Sequence, residues 1–165
     1  MNNENYDVEK ELKGWLYGAK NVVVAGIGNP IRMDDFVGVK IVRDLQGKVS
    51  EKVYLIECET VPESYIQNII TFNPTHILLI DAALLGLKPG DTRLIQPEQL
   101  KMFPAISTHA LPLRIFCEYI TKMINTKVAL LLIEPTKTNF GEGLTTEVEF
   151  TTKMIVNVLL RLLPD

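Results

Sequence analysis

Short apolar runs alternate with amphipathic stretches along most of this 165-residue chain. Val8, Leu12 and Trp15 recur near i, i+4 and i+7 among charges, which predicts a helix over residues 5–17. The run VVVAGI at 22–27 is continuously apolar and ends in glycines, the pattern of a strand buried on both faces. Between Asp34 and Leu45 the period lengthens again, with Val37, Ile41, Val42 and Leu45 on one helical face. Strands are predicted over 53–57 (VYLIE), 75–80 (THILLI), 92–95 and 128–133 (VALLLI). Pro62 opens a helix that runs through Ile70, because proline suits a first helical turn. Pro97 opens a short helical turn over 97–103, and a longer helix follows over 109–123. The segment LGLKPGD is punctuated as a turn by Pro89-Gly90, and TKTNFGEG reads as a loop. A closing helix over 144–163 carries Val148, Ile155, Leu159 and Leu162 along one side.

Buried strands alternating with helices predict an α/β fold, a three-layer sandwich around a mainly parallel sheet. The 92–95 strand follows its predecessor through a short connection, so it is expected to run antiparallel at an edge. No repeat, low-complexity stretch or interior linker divides the chain, and one domain spanning 1–165 is expected, with residues 1–20 as a helical extension. Ligands in such sheets bind beyond the carboxyl ends of the strands, where the strand order reverses. In the common order 2-1-3-4-5 that point lies between the first and third strands.

Composition removes several classes of function. Hydrophobic residues make up 47% of the chain and charged residues 22%, with a net charge of −3, as in an ordinary globular protein. Lys and Arg are scattered without a basic stripe, which argues against a nucleic-acid partner. No apolar run is long enough to insert into a membrane, and the polar start MNNENYDVEKELKGW does not read as a signal peptide, so a cytoplasmic location is expected. Cys58 and Cys117 lack metal-ligand spacing and read as buried free thiols.

Three polar residues then stand out at element ends. Asp35 follows the glycine turn in GIGNPIRMDD, Asp81 ends the run THILLID, and His109 opens STHALPLRIFCEYI. The first two fall beside the predicted switch point, on independent pieces of chain. Each also has a plainer reading. Asp34 and Asp35 occupy positions suited to an N-cap and a first-turn acid. Asp81 could cap the next turn, although an acid closing an apolar run is costly unless solvated or paired. His109 follows Ser107 and Thr108, either of which could cap the helix, and a lone histidine there is commonly a surface residue. Gly26 and Gly28 permit a tight turn with close backbone approach, but Ile31 stands where a dinucleotide fingerprint requires glycine. His76, at the opposite strand end, reads as structural; Glu57, Glu59 and Glu134 could line the cleft or merely solvate turns. Two carboxylates and an imidazole suit Zn, Mn, Fe or Ni, and three donors with open positions describe a site that meets a substrate.

The segments GNPIRMDDFVG, LLIDAALLGLKPGD and STHALPL resemble the signature segments of the hydrogenase maturation proteases. These are nickel-recognising endopeptidases that trim a C-terminal peptide from the large subunit of [NiFe] hydrogenases. The resemblance runs from about Val22 to Leu163. It is nearest to the type serving hydrogenase 3-like, hydrogen-evolving complexes. It implies an α/β/α fold with a twisted five-stranded sheet, and it implies that Asp35, Asp81 and His109 are the catalytic and metal-contacting residues. The partner implied is the large-subunit precursor, with nickel supplied by that subunit rather than held as a resident cofactor. One departure is Phe36, where many members carry glycine; its bulk is expected to reshape the cleft mouth.

Two other readings remain at this stage. A receiver-like phosphoacceptor domain also places an acid pair after its first strand and an aspartate at the end of its third, and Lys137 could serve as its lysine. In such domains, however, the acid pair follows the strand closely, whereas GIGNPIRM intervenes here. The other reading is a noncatalytic metal-binding protein.

Overall fold

The computed structural model describes residues 6–102 and 109–165. Five strands form one sheet: β1 (Val22–Ile27), β2 (Val53–Glu59), β3 (His76–Ala82), β4 (Thr92–Ile95) and β5 (Lys127–Ile133). Their order is β2-β1-β3-β5-β4, parallel except for β4, which pairs antiparallel with β5. The expected edge strand is therefore present. It lies outside β5, so β5 takes the place beside β3 that the common order gives to the fourth strand. The reversal between β1 and β3 is unaffected, since chain leaves β1 for β2 on one side and β3 lies on the other.

The helices are α1 (Val8–Trp15), α2 (Val37–Leu45), α3 (Ile66–Phe72), α4 (Ala110–Met123) and α5 (Thr146–Leu162). Two of the predicted helices are split. Residues Met33–Phe36 form a 3₁₀ turn leading into α2, and Pro62–Tyr65 form another leading into α3. Pro97–Met102 are a third 3₁₀ segment. Residue 103 of that predicted turn, residue 5 of the first predicted helix, and the proposed caps Ser107 and Thr108 fall outside the described residues.

Strand alternation sorts the core into two layers. Val22, Val24, Leu78, Ile80, Ala129 and Leu131 face α1, α2 and α5. Val23, Ala25, Ile77, Leu79, Leu130 and Leu132 face α3 and α4. Both faces of β1 and β3 are fully covered, which is why these strands read as unbroken apolar runs. Cys58 and Cys117 lie buried as free thiols in the second layer. His76 is buried at the amino end of β3 and meets Trp15 edge-to-face at 5.1 Å, far along the strand from Asp81. At the sheet margin, Leu94 of β4 donates its backbone N–H to Tyr6 Oη (2.8 Å), and Arg93 lies over the same Tyr6 ring at 4.2 Å.

Close backbone contact joins β1 to α2. A Cβ on Gly38 would lie 2.1 Å from the Ile80 carbonyl oxygen and 2.6 Å from that of Ile27. Helix α2 can therefore sit directly on the carboxyl ends of β1 and β3 only with glycine there. At Gly28, φ is +140° and a Cβ would strike the Asp35 carbonyl oxygen at 1.7 Å, so this turn also requires glycine. The close approach foreseen at the glycines serves packing of the chain on itself.

Candidate metal-contacting active site

The carboxyl ends of β1 and β3 deliver the predicted residues to one place. Asp35 stands in the 3₁₀ turn after β1, Asp81 is the penultimate residue of β3, and His109 is the residue preceding α4. One donor atom from each lies within 4.8 Å of the others. Asp81 shares the strand parity of Ile77 and Leu79, so it points to the layer that contains α4. It is 1% exposed and His109 is 9% exposed, while Asp35 is half-buried.

His109 Nδ1 lies 3.2 Å from Asp81 Oδ2. The hydrogen bond to Asp81 holds the imidazolium favourably, outweighs the opposing effect of burial, and is reinforced by the charges of Asp81 and Asp35. The histidine's pKa is accordingly raised above its usual 6.5. Asp35 Oδ2 accepts the backbone N–H of Asn29 at 2.8 Å, which ties the carboxylate to its own turn. Asn29 was not a sequence candidate, because a backbone donor leaves no mark on residue type.

The neighbouring acid behaves differently. Asp34 is fully buried, and its carboxylate accepts from Thr136 N (2.9 Å), Lys137 N (3.0 Å), Thr145 N (2.8 Å) and Thr145 Oγ1 (2.7 Å). It is structural, as its plainer reading held, but it caps no helix: its donors come from the loop between β5 and α5. Nor does His109 make a side-chain cap bond to α4. Glu134 is buried and accepts from Leu85 N, while Glu57 pairs with Arg43 at 2.7 Å; for both, structural bonding is what the contacts show. Glu59 is exposed at the end of β2, and its carbonyl accepts from Gly28 N (2.7 Å). Phe36 packs its ring under the Arg43 guanidinium at 5.1 Å, so its bulk is taken up in a surface stack.

An acid–acid–imidazole cluster at the switch point of a three-layer α/β sandwich defines the class: an α/β protein with a candidate hydrolytic site at the carboxyl edge of its sheet. Comparison with known proteins sharpens it. The family model for hydrogenase maturation protease (HycI) matches residues 39–162, a span that includes Asp81 and His109. A Methanocaldococcus jannaschii protein assigned by name to the hydrogenase maturation proteases is 32% identical over 91% of this chain and 92% of its own length. The hydrogenase 3 maturation protease of Escherichia coli K12 is 28% identical over 68% of this chain and 72% of its own. The crystal structure of a [NiFe] hydrogenase maturation protease, HycI from Thermococcus kodakarensis, superposes with a TM-score of 0.85 at 29% identity, covering 94% of this chain and 99% of that one. The chain belongs to the hydrogenase maturation protease family, and it is a peptidase. Family membership displaces the receiver-like reading, and the sealing of Asp34 by four neutral donors agrees. No helix among the described residues is long and apolar enough to cross a membrane.

Proposed function

We propose that this protein removes a C-terminal peptide from the precursor of a [NiFe] hydrogenase large subunit, and that it does so once nickel has been inserted into that precursor. The observation that carries the reading is the convergence of Asp35, Asp81 and His109 donor atoms within 4.8 Å at the carboxyl edge of the sheet. The donor set fits a nickel ion in kind, combining carboxylate oxygen with imidazole nitrogen. Three protein donors leave positions for ligands that the precursor brings.

The residues divide the work by their surroundings. Asp81 is buried and fixed on a central strand, so its carboxylate defines the floor of the site. His109 would hold the ion as a neutral ligand, and the Asp81 bond that raises its pKa would set protonation in competition with that binding. Asp35, half-buried and held by Asn29, is the acid most open to an incoming peptide. The precursor's nickel supplies Lewis-acid polarisation and alignment of the scissile peptide beside these groups. Exposed Ile31, Leu84 and Leu111 lie four, three and two residues from Asp35, Asp81 and His109, which suits a macromolecular substrate rather than a small polar one.

The test is a cleavage assay with the cognate precursor in nickel-loaded and nickel-free forms at equal concentration. Release of the C-terminal peptide is expected only from the loaded form, and Asp35→Ala and His109→Ala should abolish it. Equal processing of both forms would remove nickel sensing while leaving the protease. Processing of neither, while a related maturation protease cuts its own precursor in parallel, would favour a noncatalytic metal-binding role.

A further inference from the structure

Asp34 and Asp35 are adjacent, yet only Asp35 belongs to the convergent cluster. The surroundings of Asp34 explain why an acid stands there at all. Four donors converge on it from two separated parts of one loop: Thr136 and Lys137 at its start, Thr145 at its end. A carboxylate offers about four acceptor sites on two oxygens, whereas an amide accepts on one oxygen alone. A buried carboxylate is costly unless its lone pairs are satisfied, and here hydrogen bonds from both ends of the loop offset that cost.

Further bonds continue the closure along the turn. Asp34 N donates to Lys137 O (3.0 Å), Met33 N to Gly141 O (3.1 Å), and Gly141 N to Ile31 O (2.9 Å). The Arg32 guanidinium donates through Nε to Thr138 O (3.2 Å) and lies over the Phe140 ring at 4.8 Å. From within, Gly28 lets the Asp35 carbonyl press onto the end of β1. The turn bearing Asp35 is thus gripped between the sheet edge and the loop after β5.

We propose that Asp34 is a positioning residue for peptide cleavage: it latches loop 135–145 over the 28–35 turn and so fixes the aim of the Asp35 carboxylate at Asp81 and His109. The proposal rests on the function proposed above. Asp34 touches no reacting atom; it acts through the residue that follows it. Reactive geometry tolerates little error, and a displacement of about 1 Å costs on the order of 10²-fold in rate. Of the exposed apolar residues beside the site, Leu84 and Leu111 lie off this turn, so most of the loss is expected on kcat.

The experiment compares Asp34→Ala, Thr145→Val and Thr145→Ser, with Val158→Ala as a core-destabilised control on the far part of α5. With nickel-loaded precursor, Asp34→Ala should lower kcat about 10²-fold with KM within about twofold. Thr145→Val, which removes one charge-assisted bond, should lower kcat about tenfold. Thr145→Ser, which keeps the hydroxyl, should restore it. Val158→Ala should lower the melting temperature while leaving kcat unchanged. A second readout uses free protein without metal or substrate. The Asn29 amide, bonded to Asp35 Oδ2, should shift and exchange faster in Thr145→Val, and stay as in the wild type in Thr145→Ser and Val158→Ala. If Asp34→Ala does not fold, the Thr145 pair decides. Wild-type kcat in Thr145→Val, or an undisturbed Asn29 amide, overturns the latch. Failure of the wild-type protein to cleave would instead overturn the proposed function, and the amide measurement would still judge the latch.

Discussion

His109 Nδ1 and Asp81 Oδ2 stand 3.2 Å apart across the join between α4 and β3, at the carboxyl edge of the sheet. The pair couples the imidazole's charge to a buried strand-end acid. The chain has one other histidine, His76, at the far end of the same strand. There burial dominates, aided by the Lys127 charge, and the pKa is lowered below 6.5.

In the metal-free protein the two histidines should therefore titrate on opposite sides of 6.5, His109 above and His76 below. Their effects on stability oppose each other. The contribution of His109 is complete below 6.5 and is lost as pH rises through its higher folded value; that of His76 is complete above 6.5 and is lost as pH falls towards its lower folded value. Two-dimensional NMR of the ring resonances, assigned with His76→Gln, reads both. The reverse order would show that Asp81 does not hold the His109 proton.

Asp81→Asn keeps a side-chain acceptor facing His109 and removes the charge. Processing of precursor should disappear, whereas unfolding free energy should change by about 1 kcal/mol or less. The His109 ring should then titrate lower than in the wild type. A loss of several kcal/mol by urea unfolding would assign Asp81 a mainly structural role.

Gly38→Ala should be severely destabilising, by about 3 kcal/mol or more, because its methyl meets backbone carbonyl oxygens of both β1 and β3 rather than yielding side chains. Gly14→Ala, where nothing lies within 4 Å, should not lower the melting temperature. Equal melting temperatures for the two variants would contradict the packing described for α2.

Burial pushes the Cys58 and Cys117 thiols up to about 12, with nearby acids adding to the shift. Native protein at pH 8 should react with Ellman's reagent no faster than it opens, and both thiols should become reactive together in denaturant. Rapid labelling of either in the folded protein would show local opening of the α3–α4 layer.

Much of this architecture can be read from residue order because β1, β3 and β5 are buried on both faces and stand out as apolar runs. Asp81 was visible for the same reason: a charge closing such a run has no place in a core. Asp35 and His109 stood out by their places at element ends, and the motif resemblance joined them to Asp81, since an acid in a turn and a histidine at a helix start are common without function. The place of β5 between β3 and β4 is set by pairing across the sheet, which local pattern does not encode. The role of Asp34 was hidden for another reason. Its partners are mainly backbone N–H groups over a hundred residues away, in a segment whose composition reads only as loop.

The contact of Tyr6 with Leu94 has a consequence for solubility. Strand β4 is the sheet's antiparallel margin, and a bare margin presents backbone donors and acceptors to any other extended chain. The Tyr6 hydroxyl occupies one of those donors, Arg93 folds over the ring, and α1 packs beside the strand. Tyr6 is therefore expected to hinder pairing of another extended chain at this margin. Tyr6→Ala, which keeps α1 and the core it fills, would open that donor at the margin, and the variant should gain concentration-dependent light scattering that Lys placed on β4 would suppress.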